Sequence, residues 1–347
     1  MTAERQRMLN DQWKKWGPYV SNRQWGTVRE DYSHNGNAWG HTTYNDAISR
    51  AYRWNEDGIA GICDDKQLLC FAFSFWNRKD KIIKERFFGL SNYEGNHGED
   101  IKEIFYYLDN TPTHSYMKMV YKYPIERFPY EELVAENARR SKTEPEYELV
   151  DTGIFDDNNY FDLFIEYAKI AHDDFAIRVT AVNRSRNKAP LVILPTLWYR
   201  NNWSWGYGTY EPSLKSSSKG TIDICHDSIP QKKFYSRNSD TESLFCNNET
   251  NPAKINAHPS DHKFFKDGIN DFVVHHTENT LNPDQTGTKA SFYINTELEG
   301  GESKTFDFRL SPHDMENAFY DFDEIFSLRK QEAEEFYAEL QIGRAHV

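Results

Sequence analysis

The sequence predicts a mainly β chain: one large antiparallel sandwich, with short helices ahead of it and a helix behind it. Three observations carry that reading. Between residues 67 and 310 apolar residues recur with period two in one run after another, and no helix alternates between the runs. That pattern argues for antiparallel packing and against a parallel α/β sheet. Aromatics make up 15% of the 347 residues (9 Trp, 21 Tyr and 23 Phe), so ring burial can carry the core although hydrophobic residues reach only 38%. After Pro312 the spacing turns helical, with Phe319, Phe322, Ile325, Phe326 and Phe336 on one stripe.

Taken in order, residues 3–16 read as a short amphipathic helix closed by Gly17-Pro18, and residues 44–54 as a second. Residues 68–76 (LLCFAFSFW) form a strongly apolar strand; strands at 103–108 and 116–123 and a helical excursion at 129–140 follow. The clearest β region comes next. Residues 160–168 set Phe161, Leu163, Ile165 and Tyr167 on one face, and 175–182 do the same with Phe175, Ile177, Val179 and Ala181. Asp173-Asp174 serves as the hairpin turn between them. Strands at 191–199, 288–298 and 305–310 complete the set, the last two joined at Glu299-Gly300-Gly301. The Ser-rich stretch 213–220 reads as a loop, and His275-His276 as an edge pair on a strand with no metal role. Residues 314–340 read as a helix whose apolar stripe lacks a partner within this chain.

The net charge of −13 sets an acidic surface that repels phosphate backbones, so nucleic acid is not an expected partner, whereas neutral sugars are compatible with it. Cys63, Cys70, Cys225 and Cys246 have neither CxxC spacing nor a His cluster beside them, and read as ordinary reduced thiols with no metal. The first twenty residues contain no apolar signal core and no run reaches membrane-span length, so a cytoplasmic protein with no membrane partner is expected. The N-x-S/T triplets at Asn183, Asn202 and Asn248 are then chance matches. No Walker, GxGxxG, GxSxG or HExxH motif occurs, and no cofactor is expected.

Four polar–aromatic constellations stand out. Residues 23–33 (RQWGTVREDYS) set Arg23, Arg29, Glu30 and Asp31 around Trp25 and Tyr32. Residues 50–58 (RAYRWNEDG) set Arg50, Arg53, Glu56 and Asp57 around Trp54, and residues 92–100 (NYEGNHGED) contain Glu99 and Asp100. Residues 198–206 (WYRNNWSWG) bring Trp198, Arg200, Trp203 and Trp205 together. Sugars are held by aromatic faces against their C–H surfaces and by carboxylates, amides and Arg on their hydroxyls; the same residues also tie long loops together. The candidate substrate contacts are therefore Trp198, Arg200, Trp203, Trp205, Arg53, Glu56, Asp57 and Glu99. Glycosidases need a pair of carboxylates, but with 54 Asp and Glu composition cannot select it, and no catalytic residue is assigned.

Blocks along nearly the whole chain then carry a family likeness: residues 16–33, 49–77 (SRAYRWNEDGIAGICDDKQLLCFAFSFWN), 84–103, 106–124, 195–206 (PTLWYRNNWSWG), 266–275 and 329–340. They resemble the amino-terminal region of large glycoside hydrolase family 63 proteins, the glucosidases related to mannosyl-oligosaccharide glucosidase and mannosylglycerate hydrolase. The resemblance implies an N-terminal super-β-sandwich followed by an (α/α)6 catalytic barrel, and an inverting mechanism whose Asp acid and Glu base lie in that barrel. It implies a carbohydrate substrate and the chain's own barrel as partners. The barrel is missing from these residues, so none is carried over as catalytic. The expected division is an arm with short helices at 1–59, the sandwich at 60–311 and a linker helix at 312–341 leading to the barrel. Residues 342–347 (IGRAHV) resemble a translated sequencing adapter and are read as non-native, with the natural chain running on past Gln341. Two readings compete with the glycosidase fragment. One is a carbohydrate-binding sandwich without catalysis; the other is a complete enzyme whose pair lies among Glu30, Asp31, Glu56, Asp57, Glu99 and Asp100.

Overall fold

The computed structural model describes residues 1–19, 34–35, 37–41, 43–51, 57–204, 206 and 210–344. Two antiparallel sheets face each other. The six-stranded sheet runs in the order β1 (Trp16–Pro18), β2 (Ile59–Asp64), β3 (Leu69–Trp76), β10 (Ala189–Tyr199), β16 (Lys289–Leu298), β14 (Glu242–Cys246). The nine-stranded sheet runs β15 (Thr286–Gly287), β11 (Ser213–Ser218), β12 (Thr221–Cys225), β13 (Lys232–Ser236), β17 (Ser303–Ser311), β9 (Asp174–Asn183), β8 (Tyr160–Ala171), β7 (Tyr116–Pro124), β6 (Phe105–Asn110). A two-stranded hairpin, β4 (Gly89–Leu90) with β5 (Asp100–Ile101), stands apart. The chain is mainly β, as the period-two runs require.

The core lies between the sheets because each strand sends every second side chain inward. Phe71, Phe73 and Phe75 of β3 and Leu191, Ile193, Leu197 and Tyr199 of β10 meet Phe161, Leu163, Ile165 and Tyr167 of β8 and Phe175, Ile177, Val179 and Ala181 of β9. The faces expected for β8 and β9 are the faces observed; the turn between them is His172-Asp173, with Asp174 already paired to Ala171.

Helices are few: α1 (Ala3–Arg7), α2 (Ala38–His41), α3 (Asp46–Ser49), α4 (Tyr130–Arg139), α5 (Pro252–Ile255), α6 (Gly268–His275) and α7 (Phe322–Arg344). None among the described residues is long and apolar enough to cross a membrane. The expected helix at 3–16 breaks into α1 and a single 3-10 turn at Asp11–Lys14, after which Trp16–Pro18 pairs with Ile62–Asp64 at the sheet edge. Of the helix expected at 44–54 the structure gives only Asp46–Ser49, and residues 52–56 lie outside the described ones.

Three expectations are overturned. The Ser-rich stretch is strand β11, paired with β12 and β15; its one inward anchor is Leu214, and the ladder bonds need no further apolar residue. His275 ends a helix and His276 caps it in the left-handed region at φ 53°, because Ile269 and Val273, four apart, both bury against the six-stranded sheet. The C-terminal helix starts at Phe322, not near 314. Tyr235 donates its hydroxyl to the His313 carbonyl at 3.0 Å and accepts from Met315 N at 3.1 Å, while Arg309 bonds the Ala318 carbonyl at 3.0 Å, which holds this stretch extended. The apolar stripe of α7 is not orphaned. Phe322 (1% exposed), Phe326 and Ala333 pack on Tyr116, Ala168 and Ala176 of the nine-stranded sheet, with Phe319 half-buried beside them. Phe336 is buried too, beneath the Arg5 guanidinium.

Candidate functional site

Of the polar–aromatic segments, the described residues 50–51, 57–58 and 198–204 come together with residues 43–49 and 247–267 at the end of the six-stranded sheet where β10 finishes. The chain links are short: Asn251 N bonds the Ser49 carbonyl at 2.8 Å, Ala51 N bonds Thr250 Oγ1 at 2.9 Å, and Asn201 Nδ2 donates to the Asn248 carbonyl at 2.9 Å. Asn248 in turn donates from Nδ2 to the Tyr199 carbonyl at 2.9 Å, fixing the loop after β14 to the end of β10.

Two buried ion pairs lie under these loops. Lys266 Nζ reaches Asp57 Oδ2 at 2.7 Å and also the carbonyls of Ala47 (2.7 Å) and Arg50 (3.0 Å). Lys289 Nζ, on β16, reaches Glu85 Oε2 at 3.0 Å. Burial works against the Lys289 ammonium, but Glu85 outweighs it and raises the pKa, so the lysine stays charged. Beside them Cys246 is fully buried and its thiol is pushed up to about 12, mainly by burial, which keeps it an inert thiol. Between the pairs is a small space of about 10 Å³ lined by Ser74, Thr196, Trp198 and Asn248, at the limit of a single water.

Above this floor a cleft of about 350 Å³ opens, lined by Asn201, Ser204, Glu249, Thr250, Pro252, Ser260, His262 and Phe265. Glu249 is its centre. The Trp203 indole donates Nε1–H to Oε1 at 2.9 Å, and His262 Nδ1 lies 3.2 Å from Oε2. The exposed Glu211 has its carboxyl pushed up first by desolvation and then by the Glu249 carboxylate, with His262 opposing. Such a set can accept and donate hydrogen bonds to hydroxyls on one side and offer ring and proline surface on the other.

The sequence-predicted contacts fare differently. Trp203 stands at the cleft. Trp198 is buried (4% exposed) against Tyr19, Cys70 and Ala72, which makes it floor rather than wall. It lies under Gly58, where a Cβ would come within 2.2 Å of the Ala72 Cβ and where φ is +86°. Asp57 is in the Lys266 pair, and Arg200 is half-buried at the strand end with its N bonded to the Leu68 carbonyl at 2.9 Å. Glu99 is elsewhere: it accepts from Asn92 Nδ2 at 3.4 Å in the 92–100 loop, whose Asn96 bonds the Ser141 and Glu144 carbonyls. Arg53, Glu56 and Trp205 lie outside the described residues, as do all the residues named in the 23–33 constellation. Glu249, His262 and Glu211 carried no motif and were missed. The only available signal was the proximity of polar residues to a loop that the indole-rich segment also touches.

Among the described residues one group of carboxylates is close enough to share a metal ion, Asp100, Glu146 and Glu148. Lys102 Nζ already sits among them at 2.5, 2.7 and 3.0 Å and supplies the positive charge. All four cysteines are free thiols. Asn183 and Asn248, two of the three glycosylation-like positions, are buried with their amides bonded inward.

Comparison with known proteins adds one sequence relative. Uncharacterized protein YMR196W of Saccharomyces cerevisiae is 36% identical over 388 aligned residues, which take in 97% of this chain and 36% of the yeast protein. The chain thus spans about a third of the length of the curated relative it matches. No family model matches. Among solved structures, a galactose mutarotase related enzyme from Lactobacillus acidophilus overlaps 60% of this chain and 71% of its own at 7% identity and a TM-score of 0.28, a likeness too loose to bear on chemistry.

Proposed function

We propose that this chain is the β-sandwich part of a carbohydrate-active protein, an inverting α-glycoside hydrolase of the α-glucosidase type. In this reading it holds an oligosaccharide or small glycoside against a catalytic unit that these residues do not include. The observation that carries the reading is the convergence of residues 43–51, 57–58, 198–204 and 247–267 on one end of one sheet, around a cleft whose carboxylate, Glu249, meets an imidazole and an indole N–H. The family 63 likeness of the blocks supports the hydrolase class. The span of the yeast alignment, 36% of that protein, is in keeping with a further unit in the longer relative. Residues 1–59 act as an arm on the sandwich at 60–311, and residues 312–341 cover one sheet before leading onward.

Inversion needs an acid and a base roughly 6.5–9.5 Å apart with a water between them, in environments that tune both near neutral pH. The experiment is glucose release from α-linked disaccharides, glucosylglycerate and mannosylglycerate, comparing the 347-residue chain with the full-length yeast relative at equal concentration. Turnover by the long protein alone is the expected outcome. Turnover by the short chain overturns the division of labour and returns the search to Glu30, Asp31, Glu56, Asp57, Glu99 and Asp100; turnover by neither overturns the hydrolase class.

A further inference from the structure

We propose that the cleft between residues 201–204 and 249–265 is a subsite for one neutral sugar unit, with Glu249 as the hydroxyl acceptor and His262 as its second polar contact. This rests on the reading above that the partner is a carbohydrate, and it names residues that neither motif nor comparison assigns.

The case begins with how differently Glu249 is held from Asp57 and Glu85. Asp57 and Glu85 meet lysines that are themselves buried, and both ends of each pair are closed off: side-chain exposures are 8% and 2% for Asp57–Lys266, and 6% and 5% for Glu85–Lys289. Glu249 is as buried as they are at 11%, but its partner His262 is 69% exposed. Glu249 and His262 both line the cleft, so this pair forms part of its wall. Each oxygen spends one lone pair, Oε1 on the Trp203 indole and Oε2 on His262, and keeps further acceptor capacity. His262 uses Nδ1 on Glu249, which leaves Nε2 available. Ser204 Oγ accepts from Asn201 at 2.9 Å and keeps its own proton to donate.

Charge then selects the ligand class. The cleft-lining Glu249 carboxylate, which accepts from Trp203, disfavours phosphate or carboxylate ligands at the same place. Pro252 and Phe265 give the apolar surface that a pyranose C–H face needs, and about 350 Å³ fits one or two sugar rings better than a longer chain. Trp203 acts through its N–H, which orients Glu249, while its ring packs against the core between the sheets.

The test is calorimetric titration of the 347-residue chain with maltose, kojibiose, nigerose and glucosylglycerate, repeated on Glu249→Gln, His262→Ala and Tyr107→Ser. Tyr107 lines a separate, apolar cavity of about 530 Å³ and serves as the control. The proton shifts of the His262 ring, followed by NMR during the titration, report contact directly. The expected result is binding of at least one sugar. It weakens about tenfold or more in Glu249→Gln and His262→Ala, the loss expected for one charge-assisted hydrogen bond. It is unchanged in Tyr107→Ser, and the His262 ring signals move with saturation. Should Glu249→Gln lose its native near-ultraviolet spectrum, the exposed His262→Ala decides alone. Equal sugar affinity in the wild type and both cleft variants overturns the subsite while leaving the carbohydrate reading intact. No binding of any of the four sugars by the wild type overturns both.

Discussion

The two sheets turn very different outer faces away from the shared core. The nine-stranded sheet is covered by one amphipathic helix, α7, whose Phe322 and Phe326 rings lie on small residues, Ala168 and Ala176, with Arg178 over both rings. The six-stranded sheet is covered by loops and the short helix α6. Part of its face is apolar, with Trp76, Val192 and Leu194 beneath Ile269 and Val273 of α6; another part is covered by two buried lysine–carboxylate pairs. Burying an ion pair gains little over packing hydrocarbon in the same space, because desolvation consumes most of the attraction. A face built from such pairs is therefore a poor choice for stability alone, and it is the face on which the candidate cleft opens.

Breaking a pair under the cleft is the strongest test of that contrast. Lys266→Met leaves the Asp57 carboxylate buried without its cation and two carbonyls without their donor, and should cost about 3–5 kcal/mol in urea unfolding. The paired replacement Lys266→Met with Asp57→Leu should recover much of that loss; if it does not, the pairs hold the face together and the contrast fails. On the opposite side Phe326→Ala removes a buried ring and should cost about 3 kcal/mol, with no rescue by any charge change.

A pH series sharpens the comparison through one lysine from each sheet. Lys169, on β8, is buried with only carbonyls as partners (Trp13 at 2.5 Å, Trp16 at 2.6 Å and Thr113 at 3.1 Å), and burial pulls its pKa down to about 7. The unfolded chain then holds the extra proton above pH 7, so Lys169 makes stability rise, by roughly 2 kcal/mol between pH 7 and 9. Lys169→Met should abolish that rise. Lys289, raised by Glu85, has the opposite sign: its contribution is fully present below the ordinary lysine value and is lost only as pH climbs past it, so it is flat over the same window. The smallest effect is expected at the cleft mouth, where His262→Ala should leave the unfolding free energy within about 0.5 kcal/mol of wild type.

The contrast also explains what the sequence made legible. Strands β8 and β9 were readable because their inward residues alternate strictly and their partner is the next segment of chain. Strand β11 was not, since only Leu214 in it faces the core, and helix α6 was not, since its β-branched residues mimic a strand. Trp203 was legible as part of an indole cluster. The ion pairs and the cleft were not, because Lys266 and Asp57 are 209 residues apart, Lys289 and Glu85 are 204 apart, and no local pattern encodes either meeting. The orphaned helix was misjudged for a similar reason: the residues that cover Phe322 and Phe326 are alanines and a tyrosine on strands more than a hundred residues earlier, which do not look like a hydrophobic patch.

The N-terminal segment is tied down wholly by distant parts of the chain. Glu4 is fully buried and accepts from Thr113 N at 2.7 Å, Thr113 Oγ1 at 2.7 Å and Ser115 Oγ at 2.6 Å, while Arg7 pairs with Glu332, 325 residues on. Translation therefore presents the first helix long before it has anywhere to dock. At ribosomal speeds of about 5–20 residues per second, the wait before Glu332 exists is roughly 15–65 s. Closure of the arm is then one of the last and slowest steps of folding, since contacts of such sequence separation must await everything between them. A nascent chain stalled in β8–β17 already holds Thr113 and Ser115 for Glu4 but lacks Glu332 and α7, so its start is only half fastened, and cleavage near Lys14 and Lys15 serves as a clock for the completion of the fold.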